Sequence, residues 1–236
     1  MSSDMKRLTA PKTWAIPRKK TIWITGTNPG AHDKQTSMSL MVIIRDMLHI
    51  CDTYAEGKKI LSGREILVDG RIVTEERFAV GLMDVVSIPK MNQSYRMMLD
   101  RKGKFRLVPL TEGREKWKLC RIDGKTILSG GKVQLNLNDG RSLIVEKDSW
   151  KCGDVIKMEL PSQKILDTYK LAKGNVALIL GGSHAGEIGV IEEYIVQRSS
   201  APNLVKMKDG VITIKENVFV VGMKAPEVLL PEASAL

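Results

Sequence analysis

Six residues, Gly181 to Gly186, have the spacing at which a glycine loop cradles nucleotide phosphates, with Ser183 and His184 inside it. Two features disqualify that chemistry. Glu187 stands where the phosphate-binding lysine is required. The residues that follow, Ile188-Gly189-Val190-Ile191, read as a strand and not as the helix whose N-terminus would hold the anion. Nor is Ser183-His184 a triad, because adjacency supplies no orienting acid. His32, His49 and His184 fall in three separate segments, and His49 reads as a surface or packing residue of a helix. Cys51, Cys120 and Cys152 are odd in number and far apart, with neither metal-ligand spacing nor a disulfide framework. Asp69 reads as a turn residue and Asp84 as the start of a strand, so they form no obvious carboxylate pair. No catalytic residue, metal site, cofactor or small-molecule substrate is expected.

Cationic side chains remain as the residues that could do work. The chain has 236 residues, with 37 Lys and Arg against 27 Asp and Glu, a formal charge of +10 and a pI near 9.5. Residues 1–39 carry seven cations against two acids, and residues 91–120 carry eight against three. Blocks of this kind point to contact surfaces for a polyanion, because neutralised phosphates release counterions. General solubility is the plainer explanation of the total, though not of its concentration. No apolar run approaches the roughly 20 residues that span a bilayer, and no hydrophobic core follows the N-terminal cations as in a secretory signal. An intracellular, reducing compartment is expected.

The elements that position these cations follow in chain order. Residues 1–35 read as an extended basic arm, with Lys6, Arg7, Lys12, Arg18, Lys19 and Lys20 interleaved with Pro11, Trp14, Pro17 and Trp23. Such a segment suits lying along phosphates and stacking on bases, or packing under a neighbour, and it is expected to be unordered without RNA. Residues 36–90 read as a small module. Ser37 caps a helix with apolar residues from Leu40 to Cys51, and a short helix follows from Tyr54 to Leu61. An Asp69-Gly70 hairpin then joins Ile66–Val68 to Arg71–Val73, and a strand over Val85–Ile88 closes the module. Arg45, Lys58, Lys59 and Arg64 form its basic edge, for contact with RNA or simply for solubility.

Residues 91–170 read as an all-β domain. Its first hairpin carries Arg96, Arg101, Lys102, Lys104 and Arg106, either facing phosphates or guarding a solvated edge strand. Asp123-Gly124 and Asp139-Gly140 read as turns. In residues 171–223, two apolar strands flank the glycine loop, whose backbone amides can approach RNA phosphates. Met207–Val211 makes a turn before the strand Asn217–Met223. Residues 224–236 read as a tail.

Several stretches resemble one family, in order along the chain. Met5-Lys6-Arg7-Leu8-Thr9-Ala10-Pro11-Lys12-Thr13-Trp14 looks like the opening of the e-type small-subunit ribosomal protein S4 family of archaea and eukaryotes. Pro29-Gly30-Ala31-His32-Asp33-Lys34 departs by an alanine and an aspartate from that family's Gly-Pro-His-Lys element, which leaves His32 and Lys34 as implied RNA contacts. Phe78–Ile88, Lys116–Ile122 and Asn217–Gly222 are similar to three of its strands, with Trp117 in place of a tyrosine. Residues 36–90 resemble an S4-type RNA-binding domain, and Lys173–Ile191 resembles a KOW motif, the strand-loop-strand unit of SH3-like barrels.

The resemblance implies an α+β multidomain protein, monomeric when free, with Gly181, Gly182, Ser183 and His184 among its RNA contacts. It implies a non-enzymatic constituent of the small ribosomal subunit, cytoplasmic, with ribosomal RNA and neighbouring ribosomal proteins as partners. The competing readings are an RNA-modifying enzyme, for which no room remains after residue 90, and an RNA-binding transcription, translation or ribosome-assembly factor.

Overall fold

The structure is a computed structural model that describes residues 4–229 and 231. It is predominantly β: three five-stranded and two two-stranded sheets, with two α-helices among the described residues. The expected helix from Ser37 begins later. Ser37–Ser39 is instead a strand paired antiparallel with Ala79–Gly81. Its hydroxyls are engaged elsewhere, Ser37 Oγ donating to the Asp33 carbonyl (2.7 Å) and Ser39 Oγ to that of Thr25 (3.0 Å). A helical turn at Leu40–Val42 then widens into a π-helix at Ile43–Met47. The apolar spacing still buries Leu40 to Ile44 completely. The helix Tyr54–Ser62 has a capping box, with Glu56 N donating to Thr53 Oγ1 and Thr53 N to Glu56 Oε2. Asp69 and Gly70, with φ of 52° and 74°, make the tight turn expected between Leu67–Val68 and Arg71–Ile72.

The first five-stranded sheet runs in the order Arg71–Ile72, Leu67–Val68, Val85–Ile88, Gln93–Leu99, Phe105–Pro109. The basic hairpin assigned by sequence to the central domain therefore completes the preceding module. Val85 pairs with Arg96, so the strands within residues 93–109 share one sheet with those of residues 67–88. Sequence spacing finds a hairpin but cannot say which edge it joins.

The middle sheet is ordered Ser142–Val145, Val133–Leu137, Trp117–Ile127, Val155–Glu159, Ile165–Tyr169. Asp123-Gly124 is not a turn here. The register passes from Ile122↔Leu137 to Gly124↔Asn136, so Asp123 is accommodated in a bulge and the strand continues to Ile127. The last sheet is ordered Ile212–Ile214, Leu204–Met207, Ile188–Ile195, Val176–Ile179, Val218–Gly222, so the strand latest in the chain pairs with the earliest, Val176–Ile179.

The N-terminal segment is no free arm. Asp4–Lys6 pairs with Trp23–Thr25, Phe105 N donates to the Thr13 carbonyl (2.7 Å), and the Trp14 indole is 1% exposed with Nε1 donating to the Ser37 carbonyl (2.7 Å). A short, proline-rich segment cannot build a core, but it can lend a tryptophan to its neighbour's. The expected tail also folds back where it is described. Val228 is buried, and Glu227 accepts from Lys157 Nζ (2.6 Å). The rest of the tail, residue 230 and residues 232–236, lies outside the described residues.

Candidate nucleic-acid interface

Four residues expected to touch RNA are turned inward. Trp14 lies in the core, and Arg7 is buried with Nη1 donating to the Pro17 carbonyl (3.1 Å). Arg96 is 2% exposed. It donates through Nη2 to the carbonyls of Arg114 (2.9 Å) and Trp117 (2.5 Å), and its guanidinium lies 4.3 Å from the Trp117 ring centroid. Burial lowers its pKa to about 10. His32 is 8% exposed, with Nε2 2.9 Å from Asp84 Oδ2. Buried side chains offer no face to a polyanion, so these four are framework residues.

His32 belongs to an ionic cluster between the first and middle sheets. Lys118 Nζ lies 2.6 Å from Asp69, 2.9 Å from Asp84 and 2.7 Å from Asp139. Arg141 reaches Asp69 (2.7 Å) and Asp139 (3.3 Å). Three carboxylates thus face Lys118, Arg141 and His32. Burial opposes the charge on Lys118, yet Asp84 and its companions hold the ammonium well above its ordinary pKa. Burial likewise opposes the charge on Asp84, but Lys118 and His32 override it and keep the carboxyl well below the usual range. Asp69 shows the reverse, raised by burial and by the Asp84 charge. His32 is raised, Asp84 outweighing the cost of burial.

Sequence spacing hid this site, because Asp69 and Asp84 meet only through a lysine on another sheet. The available signal was strand alternation, which places Lys118 on the same side as Cys120 and Ile122, and that face is buried. The cluster ties the first sheet to the middle one through Lys118 and Arg141.

The outward cations gather elsewhere. In the turn Asp100–Gly103, the side chains of Arg101 and Lys102 are exposed, as is Lys104 just beyond it. Asp100 orders the turn by accepting from Arg101 N (2.7 Å), and it stands 3.8 Å from Arg106 Nε. The loop Gly181–Gly186 seats on this turn. A Cβ built on Gly186 would collide with the Asp100 carbonyl, and one on Gly103 would meet Ala185 at 3.2 Å. Gly182 and Gly186, with φ of 90° and 86°, need the left-handed region that glycine allows. Gly182, Ser183 and His184 are exposed at the loop's tip, and His184 Nδ1 pairs with Glu187 (2.8 Å). Phe105 N donates to the Thr13 carbonyl, so the segment carrying Lys12 runs beside the strand that follows this turn. Sequence reasoning had named these residues separately; the fold places the loop against the turn.

The other sequence candidates are scattered. Lys58, Lys59 and Arg64 are exposed around the second helix, whereas Arg45 is spent on Asp46 (2.7 Å). Arg18 donates to the carbonyls of Ala10 and Pro11, both at 2.7 Å, and shapes its loop. Lys6, Lys19, Lys20 and Lys34 are exposed.

Comparison with known proteins decides the kinship. Residues 91–165 match the model for ribosomal family S4e, and residues 1–35 match the RS4NT domain. The chain is 45% identical over 222 residues to small ribosomal subunit protein eS4 of Archaeoglobus fulgidus, covering 93% of each. The chain belongs to the S4e family. A second S4e relative, from Methanocella arvoryzae, is 41% identical over 96% of this chain and 97% of its own. The crystal structure of the 30S ribosomal protein S4e from Thermoplasma acidophilum superposes with a TM-score of 0.70 at 37% identity, covering 79% of this chain and 95% of that one. Membership in a ribosomal structural family makes the S4e chain a non-enzyme.

Proposed function

We infer that this chain is a structural constituent of the small ribosomal subunit that binds and orders ribosomal RNA among neighbouring ribosomal proteins in the cytoplasm. The S4e relatives, named as small-subunit proteins over nearly their whole length, support this reading. The observation that carries the mechanism is the seating of the glycine loop on the turn bearing Arg101, Lys102 and Lys104. It sets backbone amides beside cationic side chains, the pair of features that fixes phosphates without reading sequence. On this reading residues 36–109 are an S4-type RNA-binding module, extended by the basic hairpin. Residues 176–222 are a KOW-type unit whose loop serves as the second jaw, and the middle sheet is the spacer held by the Lys118 cluster.

The experiment is binding of the full chain to small-subunit RNA across a salt series, with a triple variant Arg101→Ala, Lys102→Ala, Lys104→Ala alongside. Steep salt dependence that the variant loses in part is the expected result, and salt-independent binding would refute the mechanism. A chain that washes from ribosomal particles at moderate salt would instead be a factor and not an integral component.

A further inference from the structure

The N-terminal ladder leaves an apolar strip on the surface with cations around it. Leu8 is 68% exposed, Ile22 72% and Trp23 54%. Lys6 pairs directly across the ladder from Trp23, which puts both side chains on one face. Beside them a groove of about 320 Å³ is lined by Lys6, Leu8, Arg18, Lys19, Lys20 and Ile22 together with Thr21, and no carboxylate is in the lining. Asp4 stands on the same face but at the far end of the ladder, opposite Thr25. Trp14, the other tryptophan of this segment, is sealed in the core.

We propose that this strip is a stacking site for an unpaired nucleotide of RNA, with the base on Trp23 and its phosphates on Lys6, Lys19 and Lys20. The inference rests on the RNA-binding reading above and refines it. An exposed indole opposite Lys6 and next to a groove that Lys19 and Lys20 line complements a base with its flanking phosphates, and no carboxylate in that groove repels them. Duplex RNA buries its base faces and would use only the cations, so an exposed indole selects single-stranded or bulged elements. An acidic protein segment would satisfy the lysines but would leave the indole and Ile22 without a flat partner.

The test uses the full chain with two probes, a 12-nucleotide single-stranded RNA and a fully paired 12-base-pair RNA. Trp23→Ala should weaken single-strand binding about tenfold, the scale of one lost base stack, and leave duplex binding unchanged. Trp23→Phe should retain most of the affinity. Single-stranded RNA should quench wild-type tryptophan fluorescence, and Trp23→Phe should abolish that quench. Unchanged single-strand affinity in Trp23→Ala, or a quench that survives Trp23→Phe, overturns the proposal. So does release of Trp23→Ala from subunits with its RNA affinity intact, which would assign the strip to a protein neighbour. If the wild-type chain bound neither probe at low salt, the RNA-binding reading itself would fall. The Arg101, Lys102 and Lys104 triple variant separates the two sites, because it should weaken both probes alike.

Discussion

Lys118 shows how far one side chain's position governs this molecule. Three buried carboxylates converge on it from two sheets. Replacing it by methionine keeps the bulk but strands those charges in a site where water cannot repay them. Lys118→Met should therefore destabilise the protein by about 3–5 kcal/mol in urea denaturation, far more than any exposed lysine change. His32 gives the same cluster a pH dependence whose sign is fixed. Its pKa is raised in the fold above the ordinary 6.5. Its contribution is thus complete below 6.5 and is lost as pH climbs through the raised value. The stability gap between wild type and His32→Gln should be wide at pH 5.5 and narrow at pH 9. Asp84 and Asp139 run the other way. Both are lowered from 3.8, so their contribution stands above that value and fails on strong acidification.

None of this was legible from residue types. Arg7 and Arg96 are buried although composition counts them with the contact cations, because composition reports charge but not which way a side chain points, and His32, implied by the family resemblance, is buried too.

At the scale of elements, much more was readable. Asp69-Gly70 and Asp139-Gly140 make the expected hairpins because the first turn holds both residues, and the second its glycine, at positive φ, which these residues tolerate. Asp123-Gly124 carries the same letters and forms a bulge, because the strand's partners continue beyond it. Local sequence specifies a reversal only when the flanking strands agree. The meeting of the glycine loop with the basic turn was invisible for a related reason, since Gly103 meets Ala185 and Asp100 meets Gly186 across a long stretch of chain. That meeting can be tested. Gly186→Ala forces a β-carbon into the Asp100 carbonyl and a side chain into left-handed backbone. It should cost at least about 1 kcal/mol in thermal unfolding and lower RNA affinity, although no charge is altered. Intact affinity in this variant would mean that the loop and the turn act separately.

For the whole molecule, the first and last sheets share a core, and the Lys118 cluster braces the middle sheet against the first. One apolar cluster runs from Trp14 through the first sheet to Val220 in the last, and the middle sheet keeps a smaller cluster of its own around Leu135 and Ile156. Binding by such a body should be dominated by phosphate contacts. Each contact contributes about 0.9 to the slope of log affinity against log salt on a duplex and about 0.7 on a single strand. Removing Arg101, Lys102 and Lys104 together should flatten that slope by about 2 to 3, measured by titration at several ionic strengths.

The pairing of Val218–Gly222 with Val176–Ile179 sets an order of events. The strand leading into the glycine loop acquires its second neighbour only from the end of the chain. During synthesis, therefore, the glycine loop has no finished support until nearly every residue has been made. A message truncated before Gly222 would yield a product whose loop-bearing strand lacks its second partner.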